Sequence, residues 1–357
     1  MNHPEFKIGN RLITLDKPVY FIADIASNHG GDLEVAKQLI YDAAEAGADA
    51  AKFQHFRAET LVAKFGVSEK EAKLAHQESW GKSVFDTYRD VEVPLEWTQS
   101  LAETAKECGI DFFTAPYDLD IIEFIDRYVP AFKVGSGDIT WIESIQRMAS
   151  KGKPIIFATG ASELNDVDRV IDAISNFNVG VCVMQCNTNY TGSSSNIEYL
   201  NLNVLKKFAE KYPSITLGLS DHTGGHLSVL GAISLGARVV EKHFASSSSP
   251  DNPDLHFSLT PAQWRRMVED SQALQRALGD GVKRVELNEL DSQIAQRRAL
   301  RYRLSFTAGH VLRYEDLIPL RPAPPDSLAP YQLDLVIGKR LTAGVAEQQI
   351  ISMSDFA

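Results

Sequence analysis

Residues 19–54 read VYFIADIASNHGGDLEVAKQLIYDAAEAGADAAKFQ, and the class of fold is decided there. The stretch opens on VYFIAD (19–24), a short apolar run of the β-branched and aromatic kind that fills a buried strand. LEVAKQLIYDAAEAG follows, with apolar residues three and four apart and Gly47 as its stop, which predicts an amphipathic helix. DAAKFQ (49–54) then reads as a second strand. Strands joined through a helix are parallel neighbours. No GxGxxG follows the first strand, which argues against the open dinucleotide-binding sheet.

Outward from this unit the alternation persists. Further strand-like runs are IDFFTA (110–115), AFKVGS (131–136), PIIFATG (154–160), VCVMQCN (181–187), ITLGLSD (215–221) and ARVVEKH (237–243). A second clear helix, PLEWTQSLAETAKECG, begins at a proline and stops at Gly109. Eight such runs predict an α/β protein of the (β/α)8 TIM-barrel type. After about residue 278 the pattern changes. The expected division is a barrel over 1–280, a polar linker over 281–297 and a small β-rich unit over 298–357.

The formal charge of −11 argues against nucleic acid, whose binders present a basic face. An anionic small molecule would need a local cluster of Lys and Arg in so acidic a protein. No apolar run approaches the length of a membrane helix, and the N-terminal MNHPEFKIGNRLI lacks a signal core, so the expected location is the cytoplasm. The three cysteines, Cys108, Cys182 and Cys186, read as reduced residues in or beside the core.

Polar residues collect where each run ends: Asp24, Lys52, Gln54, Thr114, Lys133, Ser136, Thr159, Ser220, Asp221, His222, Glu241 and His243. In a barrel these are the C-terminal strand ends, where active sites are built. Lys52 and Lys133 would point into the mouth, and Ser136 sits in a GSG turn whose backbone can approach a phosphate closely. His222 and His243 end neighbouring strands and can share one divalent ion with open positions for water and substrate. His226 mimics a helical partner of His222, but Thr223-Gly224-Gly225 argues for a structural role. His29 can contact a ligand or cap its loop. Asp254, in SSSSPDNPDLHFS, is either a solvated loop carboxylate or an acceptor for sugar hydroxyls.

Taken together, FKVGSGD, GLSDHTGG, EKHF, PDNPDLHFSL and RRALRYRLSFTAGHVLRYEDL make the chain resemble the N-acetylneuraminate (sialic acid) synthase family, with its relatives that make other nonulosonic acids. The resemblance spans about residues 17 to 355. It implies a TIM barrel with a C-terminal antifreeze-like (SAF) domain, in a homodimer where that domain caps the partner's barrel. It implies that Lys52, Lys133, Ser136 and Ser220 hold phosphoenolpyruvate. His222 and His243 would bind a divalent metal, manganese or magnesium. Gln54, Tyr190 and Asp254 would meet an amino sugar, and Arg321 would reach its N-acyl group from the capping domain. The implied reaction joins phosphoenolpyruvate to an N-acylated aldose such as N-acetylmannosamine, with release of phosphate. Asp24 and Glu241 are the candidate acids or bases.

The pattern departs from the family at Asp24, a usual glutamate, at Ala115, where the usual STPF motif has a hydroxyl, at Ala158, a usual serine, and at Thr188 and Thr191, usual Asn and Pro. These changes bear on which sugar is accepted. Two other readings stay open: a Schiff-base aldolase using Lys52 or Lys133, and a paralogue that binds a sugar or partner without turnover.

Overall fold

The computed structural model describes residues 4–63, 83–252 and 254–357. Eight parallel strands run β3 (Tyr20–Asp24), β4 (Ala50–His55), β5 (Asp111–Pro116), β6 (Phe132–Val134), β7 (Ile155–Ala158), β8 (Val181–Cys186), β9 (Thr216–Asp221) and β10 (Val239–His243). Their hydrogen-bonded order is β5-β4-β3-β10-β9-β8-β7-β6, and β5 lies against β6, so the sheet closes as a TIM barrel. Each expected run supplies one strand. The strands are buried throughout because helices cover their outer face and side chains fill the interior.

The helices form for local reasons. Leu33–Glu45 starts at Asp32, whose carboxylate accepts from the backbone N–H groups of Glu34 and Val35. Its Ala36, Leu39, Ile40 and Ala43 face the barrel. Pro261–Leu278 carries Pro at its first turn and a Thr260–Gln263 capping box. One core cluster lies between these helices and the barrel.

A second cluster fills the barrel: Tyr20, Ile22, Phe113, Ile156, Met184 and Val239 join Phe6, Ile8 and Ile13. The last three come from an antiparallel hairpin, β1 (Phe6–Ile8) with β2 (Arg11–Ile13), which the strand survey did not anticipate. Packed with the residues that begin the strands, it fills the N-terminal end of the interior. The C-terminal end is left for a cavity.

Residues Met1–Gly279 form one unit and Asp280–Ala357 another. The second has the helix Leu290–Gln296 and the antiparallel pair β11 (Ala299–Tyr302) and β12 (Leu317–Leu320). Its own small core includes Leu300, Tyr302, Leu312, Leu317 and Val336. No helix among the described residues is long and apolar enough to cross a membrane.

Candidate active site

Parallel register brings the strand ends to one level. His243 of β10 lies opposite Asp24 of β3, and Asp24 opposite Lys52 of β4. On the other side Glu241 lies opposite Ser220 of β9. Above them a cavity of about 460 Å³ opens, walled by Asp24, Lys52, Gln54, Lys133, Ser136, Tyr190, Ser220, His222, His243 and Asp254. Ten of the twelve anticipated site residues therefore share one cavity.

The lysines are not free cations. Lys52 Nζ lies 2.7 Å from Asp24 Oδ2 and 3.0 Å from Glu241 Oε1, and Lys133 Nζ lies 3.4 Å from the same Glu241 oxygen. Burial alone would lower the Lys52 pKa, but the two carboxylates outweigh it and raise it to about 12. Lys133 has less compensation; burial lowers its pKa, helped by the neighbouring Lys52. Ser136 Oγ accepts the Gly160 N–H at 2.9 Å. A side chain at position 160 would strike that hydroxyl and Thr188, so the ATG turn has room only for glycine.

Glu241, expected at the mouth as a candidate acid or base, is not on the cavity wall. It sits beneath the lysines with Ser220 Oγ at 3.2 Å. Burial would raise its pKa, yet Lys133 and Lys52 bring it down to about 2. At neutral pH it is a fixed counter-ion and has no proton to give. Asp24 is the candidate that faces the cavity; its Oδ1 accepts the Ala26 N–H at 3.1 Å. Three other expected rim residues turn outward with strand alternation. Thr114 bonds the buried His55 ring at 2.7 Å, Thr159 the Met184 carbonyl, and Asp221 the ammonium of Lys242.

The imidazoles of His222 and His243 have centroids 5.3 Å apart. His222 Nδ1 faces the Asn187 carbonyl at 2.9 Å, so that nitrogen carries the proton and Nε2 keeps its lone pair. Burial first, then His243, lowers the His222 pKa to about 3, which keeps the ring neutral, as a metal ligand must be. Nδ1 of His243 is buried with no hydrogen-bond partner. Among the described residues no group of three His, Cys, Asp or Glu is arranged to hold an ion. The donors present thus fit a cation held by two imidazoles and completed by water and substrate.

On the far side, Asp254 Oδ2 accepts from the Ser27 N–H at 3.0 Å and from its hydroxyl. This fixes the loop carboxylate against the first βα loop. Pro250 of the same segment presses on Gly30, where φ is +57° and a Cβ would lie 2.2 Å from the proline ring. Pro253 lies outside the described residues. His29 is fully buried against Phe53 and Trp97, with the Gly31 N–H on Nδ1, so it shapes its loop and does not line the cavity. His226 bonds Asp270 at 2.9 Å, away from the pair. Tyr190 packs edge-on against His222 at 4.4 Å. Arg321 belongs to the second unit, where it is exposed.

A model of the NeuB family matches residues 39–283. The chain belongs to the NeuB family. It is an enzyme of the synthase type. An N,N'-diacetyllegionaminic acid synthase of Legionella pneumophila is 33% identical to this NeuB chain over 350 residues, covering 95% of this chain and 96% of that one. A pseudaminic acid synthase of Campylobacter jejuni is 30% identical over 353 residues, 98% and 99% of the two chains. The crystal structure of an N-acetylneuraminic acid (sialic acid) synthetase from Leptospira borgpetersenii superposes with a TM-score of 0.70 at 24% identity, over 81% of this chain and 95% of that one, a likeness of fold.

Sequence reasoning passed over several cavity residues of the NeuB chain. Asp138 lines the wall, and burial raises its pKa to about 6. Its signal was its place two residues after Ser136, on the same turn. Phe56, Leu61, Val62, Tyr88, Val91 and Tyr117 form an apolar and aromatic side, which no spacing in the sequence announced.

Proposed function

We propose that this NeuB-family enzyme condenses phosphoenolpyruvate with an N-acylated aldose, N-acetylmannosamine or a related amino sugar, to give a 3-deoxy-2-keto nonulosonic acid and phosphate. One observation carries the reading: two facing imidazoles and two lysine side chains share one cavity at the C-terminal barrel end. A divalent cation, manganese or magnesium, held by His222 and His243 would polarise the aldehyde oxygen of the open-chain sugar.

The chain's own groups account for the rest. Lys52 and Lys133 orient the phosphate and carboxylate of phosphoenolpyruvate, with Ser136 and Ser220 as hydroxyl partners. Carbon C3 of the enol attacks the aldehyde carbon, water adds at C2, and phosphate leaves by C–O cleavage. The former aldehyde oxygen gains a proton, the water loses one as it adds at C2, and the resulting C2 hydroxyl passes its remaining proton to the departing phosphate as the keto group forms. Asp24 would move such a proton: it faces the cavity, whereas Glu241 lies off the cavity wall and is held ionised by Lys133 and Lys52. Gln54, Tyr190 and Asp254 meet the sugar. The apolar side suits acyl methyls and deoxy carbons of the acceptor. The second unit is read as the SAF domain, whose Arg321 would complete a partner's site in a homodimer.

The test is phosphate release in the presence of phosphoenolpyruvate, an N-acyl aldose and manganese. Release should require all three, stop on chelation, and be lost equally in His243→Ala. Turnover that survives chelation would sink the metal-assisted version. The lowered Lys133 pKa favours the second reading, a Schiff-base aldolase, and borohydride trapping with pyruvate separates the two.

A further inference from the structure

Behind the two imidazoles, on the outer face of the same strands, lies another pair of charges that touches neither the cavity nor solvent. Alternation turns Ser220 inward and Asp221 outward on β9, and Glu241 and His243 inward and Lys242 outward on β10. Asp221 and Lys242 are direct register partners. Lys242 Nζ lies 2.7 Å from Asp221 Oδ2, and neither side chain has any exposure.

The pair is fully satisfied. The Asp221 carboxylate accepts the Thr223 N–H at 2.9 Å, the Thr223 hydroxyl at 3.2 Å and the Ser228 hydroxyl at 2.6 Å. Lys242 also donates to the Thr223 carbonyl at 2.5 Å. Two strands, the turn after β9 and the helix Leu227–Ser234 are thereby joined at one point. Its neighbours in the chain are the imidazoles: His222 follows Asp221, and His243 follows Lys242.

Desolvating two charges is costly, and a shape-matched apolar pair would serve stability as well or better. An apolar pair would not fix distance and direction, because its contacts have no orientation. A hydrogen-bonded ion pair does both. We propose that Asp221 and Lys242 are positioning residues, and that their ion pair sets the separation of the His222 and His243 imidazoles for a shared divalent cation. This rests on the metal reading above.

The experiment is titration of the full chain with manganese by calorimetry, for the wild type and for the double variant Asp221→Asn with Lys242→Met. The double variant removes both charges and keeps the volume, so it should fold. Expected is a fall in manganese affinity of about ten- to a hundredfold, the range for groups that orient metal ligands. At saturating manganese its turnover should recover, which a general loss of structure would not allow. Ser228→Ala is the milder companion, with an expected loss of about threefold for one hydrogen bond to the carboxylate. Wild-type affinity in both variants overturns the assignment alone. No manganese binding by the unaltered protein overturns both the assignment and the reading beneath it.

Discussion

Asp138 is a carboxyl group whose surroundings favour its neutral form. It sits on the turn after β6, and burial raises its pKa to about 6. A carboxyl whose pKa is higher in the folded chain than in the unfolded one binds more protons when folded. Its contribution to stability is therefore greatest at acid pH and is lost as pH rises from about 4 through about 6. Asp138→Asn should remove that loss. Melting temperatures of the two proteins, measured across pH 4 to 7, should converge at the acid end, with the variant higher near neutrality. Parallel curves would show that Asp138 titrates normally. The reading of single residues from sequence failed here for a physical reason. A pKa depends on what covers the group, and covering is a property of the closed barrel.

At the scale of elements, the strands were legible and their facing was only half so. Runs such as VYFIAD and ITLGLSD are apolar because both faces are buried, and that signal survives without knowledge of the fold. Which polar residue at a strand end looks inward depends on alternation. Thr114 and Asp221 face out while Phe113 and Ser220 face in, so proximity to the strand end alone misplaced them. Glu241 faces in but sits too deep, under Lys52 and Lys133. The hairpin β1–β2 escaped because its strands are three residues long, too short for their alternation to stand out. Register across β10, β3 and β4 then ties Glu241, Asp24 and Lys52 into one charge cluster. Lys52→Met would strand Asp24 in the barrel without its ammonium partner, at a cost of about 3–5 kcal/mol. Lys52→Met with Asp24→Asn should recover most of that loss in guanidinium unfolding, although neither protein should turn over. A double variant as unstable as the single one would mean that packing, and not charge, is what Lys52 supplies.

At the scale of the whole molecule, the role proposed for Arg321 predicts how two defective variants behave when mixed. Arg321 lies in the unit Asp280–Ala357, and His222 and His243 lie in Met1–Gly279. In the proposed homodimer each second unit serves its partner, so two different defects can complement each other. A chain with His243→Ala has a dead barrel and a sound Arg321. A chain with Arg321→Ala has a sound barrel and no arginine to lend. In a mixed dimer the sound barrel receives the sound arginine. With equal amounts and free exchange of subunits, half of the dimers are mixed and each has one working site of two. Activity should then return to about a quarter of the wild-type value, while each variant alone stays far below that. If Arg321 instead served its own barrel, every sound barrel in the mixture would still lack the arginine, and mixing would restore nothing. Titrating one variant into the other and following phosphate release therefore decides between the two arrangements without any need to know which sugar is the natural acceptor, provided one accepted aldose is in hand.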